Sequence, residues 1–286
     1  MPTLLVRYGE IGLKSERVRR RFEMALEGDI KHKHAMAGIS CIVSSGRGRI
    51  FVDSNDWRHT CEILSRTFGV VSFSPTVQVS SDLDKLLEDV VRFAEPLMFN
   101  GALFAIRARR SGTHPYTSQT VCEKAGYAVL SANRARGVKV NLDEPDIEIF
   151  IEVRGRDAYL FSTILPGPGG MPKSTQGRVL VMLSSERGIA AAWLLMKRGC
   201  TVVAACSDHA LSDLLAAWDA DLKTVEPESD MFSKAAGERC LAVVMDWGVK
   251  ELGSNRALKG PVPVFYPLVG FDDDQVGSLL DRVTRT

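Results

Sequence analysis

The sequence predicts an α+β front half followed by an α/β domain with a parallel, doubly wound sheet. Three observations lead to this fold class. Strand and helix patterns at the front follow the order strand, helix, strand, strand, helix, strand. Glycine and proline are densest at residues 166–177, which breaks the pattern. After that segment, single strands alternate with helices, as they do in parallel sheets.

The first predicted domain spans residues 1–77. Ser15 stands at the expected start of an amphipathic helix, and glycines in the segment SGRG favour a hairpin turn. The order of its elements is that of a ferredoxin-like βαββαβ domain. The predicted elements are a strand over Thr3–Tyr8, a helix from Ser15 to about Lys31, strands over Ile39–Ser44 and Arg49–Asp53, a helix from Asp56 to about Arg66, and a strand over Val70–Val77.

The second predicted domain spans residues 78–166 and combines two helices with three strands. The segment RGRD supplies its hairpin signal. A linker over 167–177 separates it from the third domain. The predicted elements are helices over Asp82–Phe93 and Thr117–Arg134, and strands over Leu103–Arg109, Ile147–Val153 and Ala158–Leu165.

The third predicted domain spans residues 178–286. Ligands of doubly wound sheets bind beyond the carboxyl ends of the strands, so we expect any ligand near Leu183–Gly188 and Ala205–His209. The predicted strands are Arg178–Leu183, Thr201–Ala205, Cys240–Met245 and Val262–Pro267, and the predicted helices are Glu186–Arg198, Ala210–Ala220 and Gln275–Val283.

Composition excludes several classes of protein. With 286 residues, 45% of them hydrophobic, and a net charge of +1, the chain is not predicted to be disordered. It has no uncharged apolar run of about 18 residues, and its charged N-terminal segment does not resemble a signal peptide. Six dispersed cysteines without a CxxC pair indicate reduced thiols, so we expect a cytoplasmic protein. The histidines lack companions at metal-ligand spacing, so no metal is expected.

Charge is distributed unevenly along the chain. Residues 1–60 carry 11 basic and 7 acidic residues, whereas residues 178–286 carry 12 basic and 15 acidic ones. A basic front predicts contact with a polyanion there, although solvated helix faces would give a similar pattern. The cations that we predict to follow an RNA backbone are Lys14, Arg17, Arg20, Arg107, Arg109, Arg110, Arg134, Arg136, Lys139 and Lys173.

A family likeness is carried by several segments in a fixed order: RYGEIGLKSERVRRRFE, SQTVCEKAGYAVL, PDIEIFIEVRGRDAYLF, GPGGMPKSTQGRVLVMLS, AAAWLLMKRG and PVFYPLVGFDDDQV. Together they resemble the 4-thiouridine synthetase (tRNA sulfurtransferase) family. The resemblance implies a ferredoxin-like domain, a THUMP domain that binds tRNA, and a PP-loop ATP pyrophosphatase domain, in that order.

The chain departs from this family at the nucleotide loop. The family carries an SGGxDS motif, and the matching positions here are Leu183, Ser184, Ser185, Glu186, Arg187 and Gly188. Serines replace both glycines, and Arg187 replaces the aspartate. Because Glu186 would occupy the positive potential of the helix N-terminus, we expect a helix start capped by Ser184 or Ser185 rather than a phosphate site. Residual phosphate binding through Arg187 is the alternative.

Two further nucleotide-contact regions of the family are altered, at residues 206–209 and 250–256. None of the six cysteines falls in a motif that matches the family's sulfur-handling cysteine. No catalytic residue or cofactor is therefore predicted.

Three hypotheses remain open. The leading one is a tRNA-binding protein with an inactive ATP site, which could hold tRNA for a separate modifying enzyme or sulfur donor. The second is an active sulfurtransferase that uses ATP with Mg²⁺ and an external sulfur donor. The third is a protein–protein adaptor that does not bind RNA.

Overall fold

The structure is a computed structural model that describes residues 3–46, 48–254 and 258–284. By its internal contacts the chain divides into two compact units. The first unit comprises Met1–Arg7, Ser40–Arg58 and Ser72–Pro166. The second comprises Tyr8–Ile39, His59–Val71 and Gly167–Thr286.

Seven of the nine helices in the described residues were predicted from the sequence. The nine are α1 (Glu16–Met36), α2 (Trp57–Ser65), α3 (Leu83–Ala94), α4 (Ser118–Ala132), α5 (Glu186–Lys197), α6 (His209–Ala216), α7 (Met231–Gly237), α8 (Val249–Ser254) and α9 (Asp273–Thr284). Short 3₁₀ turns cover Glu10–Leu13, Glu95–Leu97 and Arg134–Arg136. None of the helices in the described residues is both long and apolar enough to cross a membrane.

The described part of the front half forms one mixed sheet. Its strands are β1 (Thr3–Tyr8), β2 (Cys41–Gly46), β3 (Arg49–Ser54), β4 (Val70–Ser80), β5 (Leu103–Ser111), β6 (Lys139–Val140), β7 (Ile147–Arg154), β8 (Asp157–Phe161) and β9 (Leu165–Pro166). Their order is β2-β3-β1-β4-β8-β7-β5-β6, and β9 pairs with β4. The order β2-β3-β1-β4 confirms the predicted ferredoxin-like arrangement.

Helices α3 and α4 cover one face of the β5-β7-β8 part of this sheet. Both begin with a side-chain cap, because Asp82 accepts a hydrogen bond from the Lys85 amide and Thr117 accepts one from the Thr120 amide. The helices bury an apolar stripe against alternate residues of the strands. The core includes Leu86, Val90, Val121, Ala125, Phe104, Ile106, Ile149, Ile151 and Leu160. The intervening strand residues therefore lie on the opposite face of the sheet.

The second sheet is parallel and doubly wound, as predicted. Its strands are β10 (Arg178–Met182), β11 (Thr201–Ala205), β12 (Lys223–Val225), β13 (Ala242–Val244) and β14 (Val264–Phe265). All four strand pairs are parallel, in the order β12-β11-β10-β13-β14. The chain leaves β10 toward β11 on one side and returns on the other side at β13. The switch point, where a crevice is expected, therefore lies beyond the carboxyl ends of β10 and β13.

The core of the second unit is aromatic at its centre. The ring centroid of Phe68 lies 5.6 Å from that of Trp193 and 5.3 Å from that of Trp218. Trp218 also donates from Nε1 to the Val283 carbonyl at 3.1 Å. Buried aromatic pairs of this kind add about 0.5–1.5 kcal/mol each beyond their area burial.

Several predicted boundaries were wrong. Helix α1 continues past Lys31 because Lys33 pairs with Asp29 one turn earlier, at 3.6 Å, and because the buried His34 donates to the Ile30 carbonyl at 2.7 Å. The N-cap residue Ser15 makes no side-chain capping bond. The hairpin strand β2 begins at Cys41 rather than residue 39, and Arg47 in its turn lies outside the described residues. The short elements β6, β12, α7 and α8 were not predicted.

Candidate nucleic-acid interface

Arg107 and Arg109 lie on the sheet face that α3 and α4 leave uncovered. Their neighbours Phe104 and Ile106 enter the core, so the alternation along β5 turns both arginines to the other side. Of the two, Arg109 is exposed and makes no ion pair within the described residues. Arg107 is bound by Glu148 at 2.9 Å and by the Leu142 carbonyl.

The same face carries a cavity of about 570 Å³. Phe150 of β7 and Phe161 of β8 line it, with their rings stacked 5.1 Å apart at an interplanar angle of 8°. The Arg7 guanidinium stands 4.7 Å from the centroid of the Phe161 ring. A stacked aromatic pair beside guanidinium groups is a combination that can hold a planar base and a phosphate.

A buried carboxylate organises the arginines next to this cavity. Glu152, which is 3% exposed, receives a hydrogen bond from Arg154 Nε at 2.9 Å and an ion pair from Arg49 at 3.0 Å. Arg7 lies 3.9 Å away on the other carboxylate oxygen. Three guanidinium groups thus share one carboxylate, which leaves a local excess of positive charge.

This excess is visible at Arg7. Burial, together with the positive charges of the neighbouring arginines, lowers the pKa of Arg7 to about 10 against the opposing effect of Glu152. Two buried donors, Arg7 Nη2 and Arg49 Nε, make no hydrogen bond within the described residues. A buried guanidinium donor without an acceptor is costly, so the site favours an anion. We call the set Arg7, Arg49, Arg107, Arg109, Glu152, Arg154, Phe150 and Phe161 the arginine cleft.

The other predicted cations of the first unit differ in their surroundings. Arg136 donates to the carbonyls of Glu95 and Met98, so it connects the turn that follows α4 to the turn that follows α3. Arg110 donates to the Gly112 carbonyl at 2.8 Å. Arg134 and Lys139 are exposed and form no ion pair in the part of the chain that is described.

The remaining predicted cations belong to the second unit. Lys14, Arg17 and Arg20 are exposed around the start of α1. Lys173 is not open to solvent in the same way, because its ammonium is held by Asp219 and, at 3.0 Å, by Asp221. Burial lowers the pKa of Lys173, but the hydrogen bonds that its ammonium donates to the two carboxylates, and their negative charges, raise it above its usual value. This ion pair fixes the linker, and the RNA contact of Lys173 stays a prediction.

In the loop between β10 and α5, two side chains at the altered nucleotide-loop positions bond to carboxylates. Ser185 occupies the N-cap position of α5, but its hydroxyl donates to Asp246 at 2.7 Å and makes no capping bond. Ser185 therefore stands at the N-cap as expected but supplies no side-chain cap, because its hydroxyl is turned toward the carboxylate that follows β13. Arg187 forms an ion pair with Asp273 at 2.9 Å.

Gly188 keeps a packing role in the same loop. A Cβ atom there would lie 3.1 Å from the Met182 carbonyl, so glycine lets α5 approach β10 closely. Residues 255 and 256 of the third altered region lie outside the described residues. Over the described residues, no group of three or more His, Cys, Asp or Glu is placed to hold a metal ion.

Comparison with known proteins matches two family models in the front half. Residues 3–74 match the ThiI ferredoxin-like domain, and residues 80–163 match the THUMP domain. A probable tRNA sulfurtransferase of Methanothermobacter thermautotrophicus is 40% identical over 215 residues, which are 72% of this chain and 53% of that protein. The chain belongs to the tRNA sulfurtransferase family.

Other relatives agree with this assignment. A probable tRNA sulfurtransferase of Halobacterium salinarum is 35% identical over 82% of this chain and 62% of its own length. The crystal structure of PH1313 from Pyrococcus horikoshii Ot3 has a TM-score of 0.84 and 28% identity, and each chain is covered in full. A 4-thiouridine synthetase solved with RNA and bound ATP has a TM-score of 0.76 and 20% identity over 99% of this chain and 85% of its own, which shows the shared fold. The chain spans about half the length of the curated tRNA sulfurtransferases it matches.

Part of the arginine cleft was missed from the sequence. Arg7, Arg49 and Arg154 lie on three strands that are distant along the chain, so no local pattern joins them. The sequence does contain one signal for the site. The alternation in IEIFIEVR and DAYLF places Phe150, Glu152 and Phe161 on the sheet face away from the core.

Proposed function

We propose that this member of the tRNA sulfurtransferase family binds tRNA at the arginine cleft and that its third domain does not use ATP. The arginine cleft is the observation that carries the first part. A stacked aromatic pair and Arg7 line its cavity, and Arg49 and Arg154 stand beside it on the carboxylate of Glu152, so that net positive charge and two buried guanidinium donors adjoin the aromatic rings. These features suit an unpaired nucleotide better than a duplex, because the major groove of A-form RNA is too narrow for side chains to read.

Charge reversal on Arg109 tests this function. We expect Arg109→Glu to weaken tRNA binding by roughly tenfold, about 1.4 kcal/mol, because it replaces an attraction to phosphate by a repulsion. Fluorescence anisotropy with labelled tRNA at low salt measures the dissociation constant.

Lys124→Glu is the matched control. Lys124 is exposed on α4, and α4 covers the opposite face of the same sheet. Its reversal changes the net charge equally and should leave the affinity nearly unchanged. Equal loss in both variants would mean that RNA responds only to overall charge. A tRNA trimmed of its single-stranded end should bind more weakly if an unpaired nucleotide occupies the cavity.

The second part of the proposal rests on the fit between the crevice and a triphosphate. Glu186 stands in the first turn of α5, where its carboxylate uses the potential that a phosphate would need. Asp246 accepts a hydrogen bond from the loop hydroxyl of Ser185, and the guanidinium of Arg187 is already paired with Asp273. The residues present therefore do not fit the phosphates of ATP.

Calorimetry tests this part independently of RNA. Titration of the protein with ATP and Mg²⁺ should give no heat beyond dilution, and a one-to-one isotherm would support the alternative of an active sulfurtransferase. Without ATP binding, the protein would act by holding tRNA for a separate modifying enzyme or sulfur donor. Mass spectrometry of tRNA nucleosides, with and without the protein, shows whether any modification depends on it. Absence of RNA binding at low salt would leave the adaptor hypothesis.

A further inference from the structure

The second unit contains a cavity of about 730 Å³ that neither part of the proposed function uses. It lies between the end of α5, the end of β14 and helix α9. Its walls are largely apolar and include Trp193, Phe265, Pro267, Phe271 and Leu279. Its volume falls within the range of about 300–1,000 Å³ that is typical of small-molecule sites.

Cations surround this apolar cavity. Lys197 and Arg198 end α5, and Arg282 lies in the last turn of α9. Glu10 is the carboxylate among the lining residues, and it pairs with Arg198 at 3.6 Å. The rim therefore has an excess of positive charge, although residues 178–286 as a whole carry a net charge of −3.

Helix dipoles explain part of this charge. Two helices end at the rim, and each helix C-terminus carries about half a negative charge, which cations stabilise. Arg198 is paired with Glu10, and the two helix ends together carry about one negative charge. The remaining two cations, Lys197 and Arg282, therefore exceed the negative charge at the rim. Lys197 shows the excess, because its half-buried ammonium stands 5.1 Å from the Trp193 ring and forms no ion pair within the described residues. Burial and the nearby Arg282 lower the pKa of Lys197.

The linker holds this arrangement in place. Met171 donates its backbone N–H to the Lys197 carbonyl at 2.9 Å. Gly170 has a φ of +79°, and a Cβ atom there would lie 2.2 Å from the same carbonyl oxygen. The position of Lys197 is therefore set by a close backbone contact rather than by a flexible loop.

We infer that this cavity binds a small organic carboxylate with an aryl or alkyl body. The body would occupy the apolar walls, and the carboxylate would lie between Lys197 and Arg282. A carboxylate satisfies the cationic rim without burying an unpaired charge of its own, and an apolar body gains from leaving water.

Saturation-transfer NMR on the full chain tests this inference. The probes are 3-phenylpropanoate and decanoate, with 3-phenylpropanamide and 3-phenylpropylamine as matched neutral and cationic bodies. We expect the carboxylates to bind at least tenfold more tightly than the amide, and the amine to show no binding. Equal binding of carboxylate and amide, or no carboxylate binding at millimolar concentration, would overturn the inference.

Charge variants locate the site. Lys197→Glu combined with Arg282→Glu should weaken carboxylate binding by tenfold or more, whereas Lys259→Glu, an exposed cation outside the cavity, should not. Arg282→Gln is the milder variant if the double variant unfolds. Binding that survives every rim variant would place the ligand elsewhere and refute the assignment. Anisotropy with tRNA on the same variants should be unchanged, which separates this result from failure of the proposed function.

Discussion

At the scale of single residues, Glu152 is the most consequential side chain of the arginine cleft. Its carboxylate holds Arg154 and Arg49 directly and faces Arg7. A buried carboxylate shared by several guanidiniums both orders them and limits their mutual repulsion. The same residue therefore supports the fold and reduces the positive charge that RNA would meet.

Substitution of Glu152 measures its contribution to the stability of the fold. Glu152→Gln keeps the shape but leaves three partly buried guanidiniums without a counter-charge, so we expect the free energy of unfolding to fall by about 3–5 kcal/mol. Urea unfolding measures the loss. Glu148→Gln is the control, since its ion pair with Arg107 is about two-fifths exposed and should contribute under about 1 kcal/mol. Equal losses would show that Glu152 is not a special counter-charge.

At the scale of helices and strands, elements with a long hydrophobic periodicity were predicted more accurately than short elements. Strand β10 and helix α5 were predicted almost to the residue, because a compact apolar run and a long helical pattern leave little choice. The short strand β12 and helix α7 were missed, because three to seven residues carry too little periodicity and are stabilised by their neighbours. Strand β12 forms only as a parallel edge beside β11.

The candidate site was predictable to a lesser degree than the fold. Arg107 and Arg109 were found because alternation within one strand places them on one face. Arg7 and Arg49 were not, because their proximity to Glu152 depends on the pairing of strands far apart in sequence. Lys173 was predicted to contact RNA from its position in the glycine-rich linker, and the sequence did not show the two carboxylates that bind it in the fold.

Two neighbouring glycines in the linker differ in how closely other atoms approach them. Gly170→Ala should lower the free energy of unfolding by roughly 3 kcal/mol or more, because positive φ costs about 1–3 kcal/mol and the new Cβ atom would also clash with the Lys197 carbonyl. Gly169→Ala is the matched control. Gly169 also has positive φ, +67°, but a Cβ atom there meets nothing within 4 Å, so only the conformational cost applies. Denaturant unfolding compares the two, and similar losses would mean that the close contact is relieved by a small backbone shift.

At the scale of the whole molecule, charge separation matters more than net charge. A chain of net charge +1 has little overall attraction for a polyanion, so any affinity for RNA depends on local clusters. The cleft contributes five arginines against Glu148 and Glu152, whereas residues 178–286 are acidic. Binding should therefore be specific to one face of the first unit.

Salt dependence measures how many phosphates that face contacts. With on the order of three contacts and a slope of about −0.7 per contact for unpaired RNA, log Ka should fall with log salt with a slope of about −2. Arg109→Glu should reduce the steepness by about one contact, whereas Lys124→Glu, behind the sheet, should leave the slope unchanged. Anisotropy titrations from low to physiological salt give both slopes. A dissociation constant that does not change with salt would mean that arginine–phosphate pairing does not hold the RNA, because released counterions are the signature of that pairing.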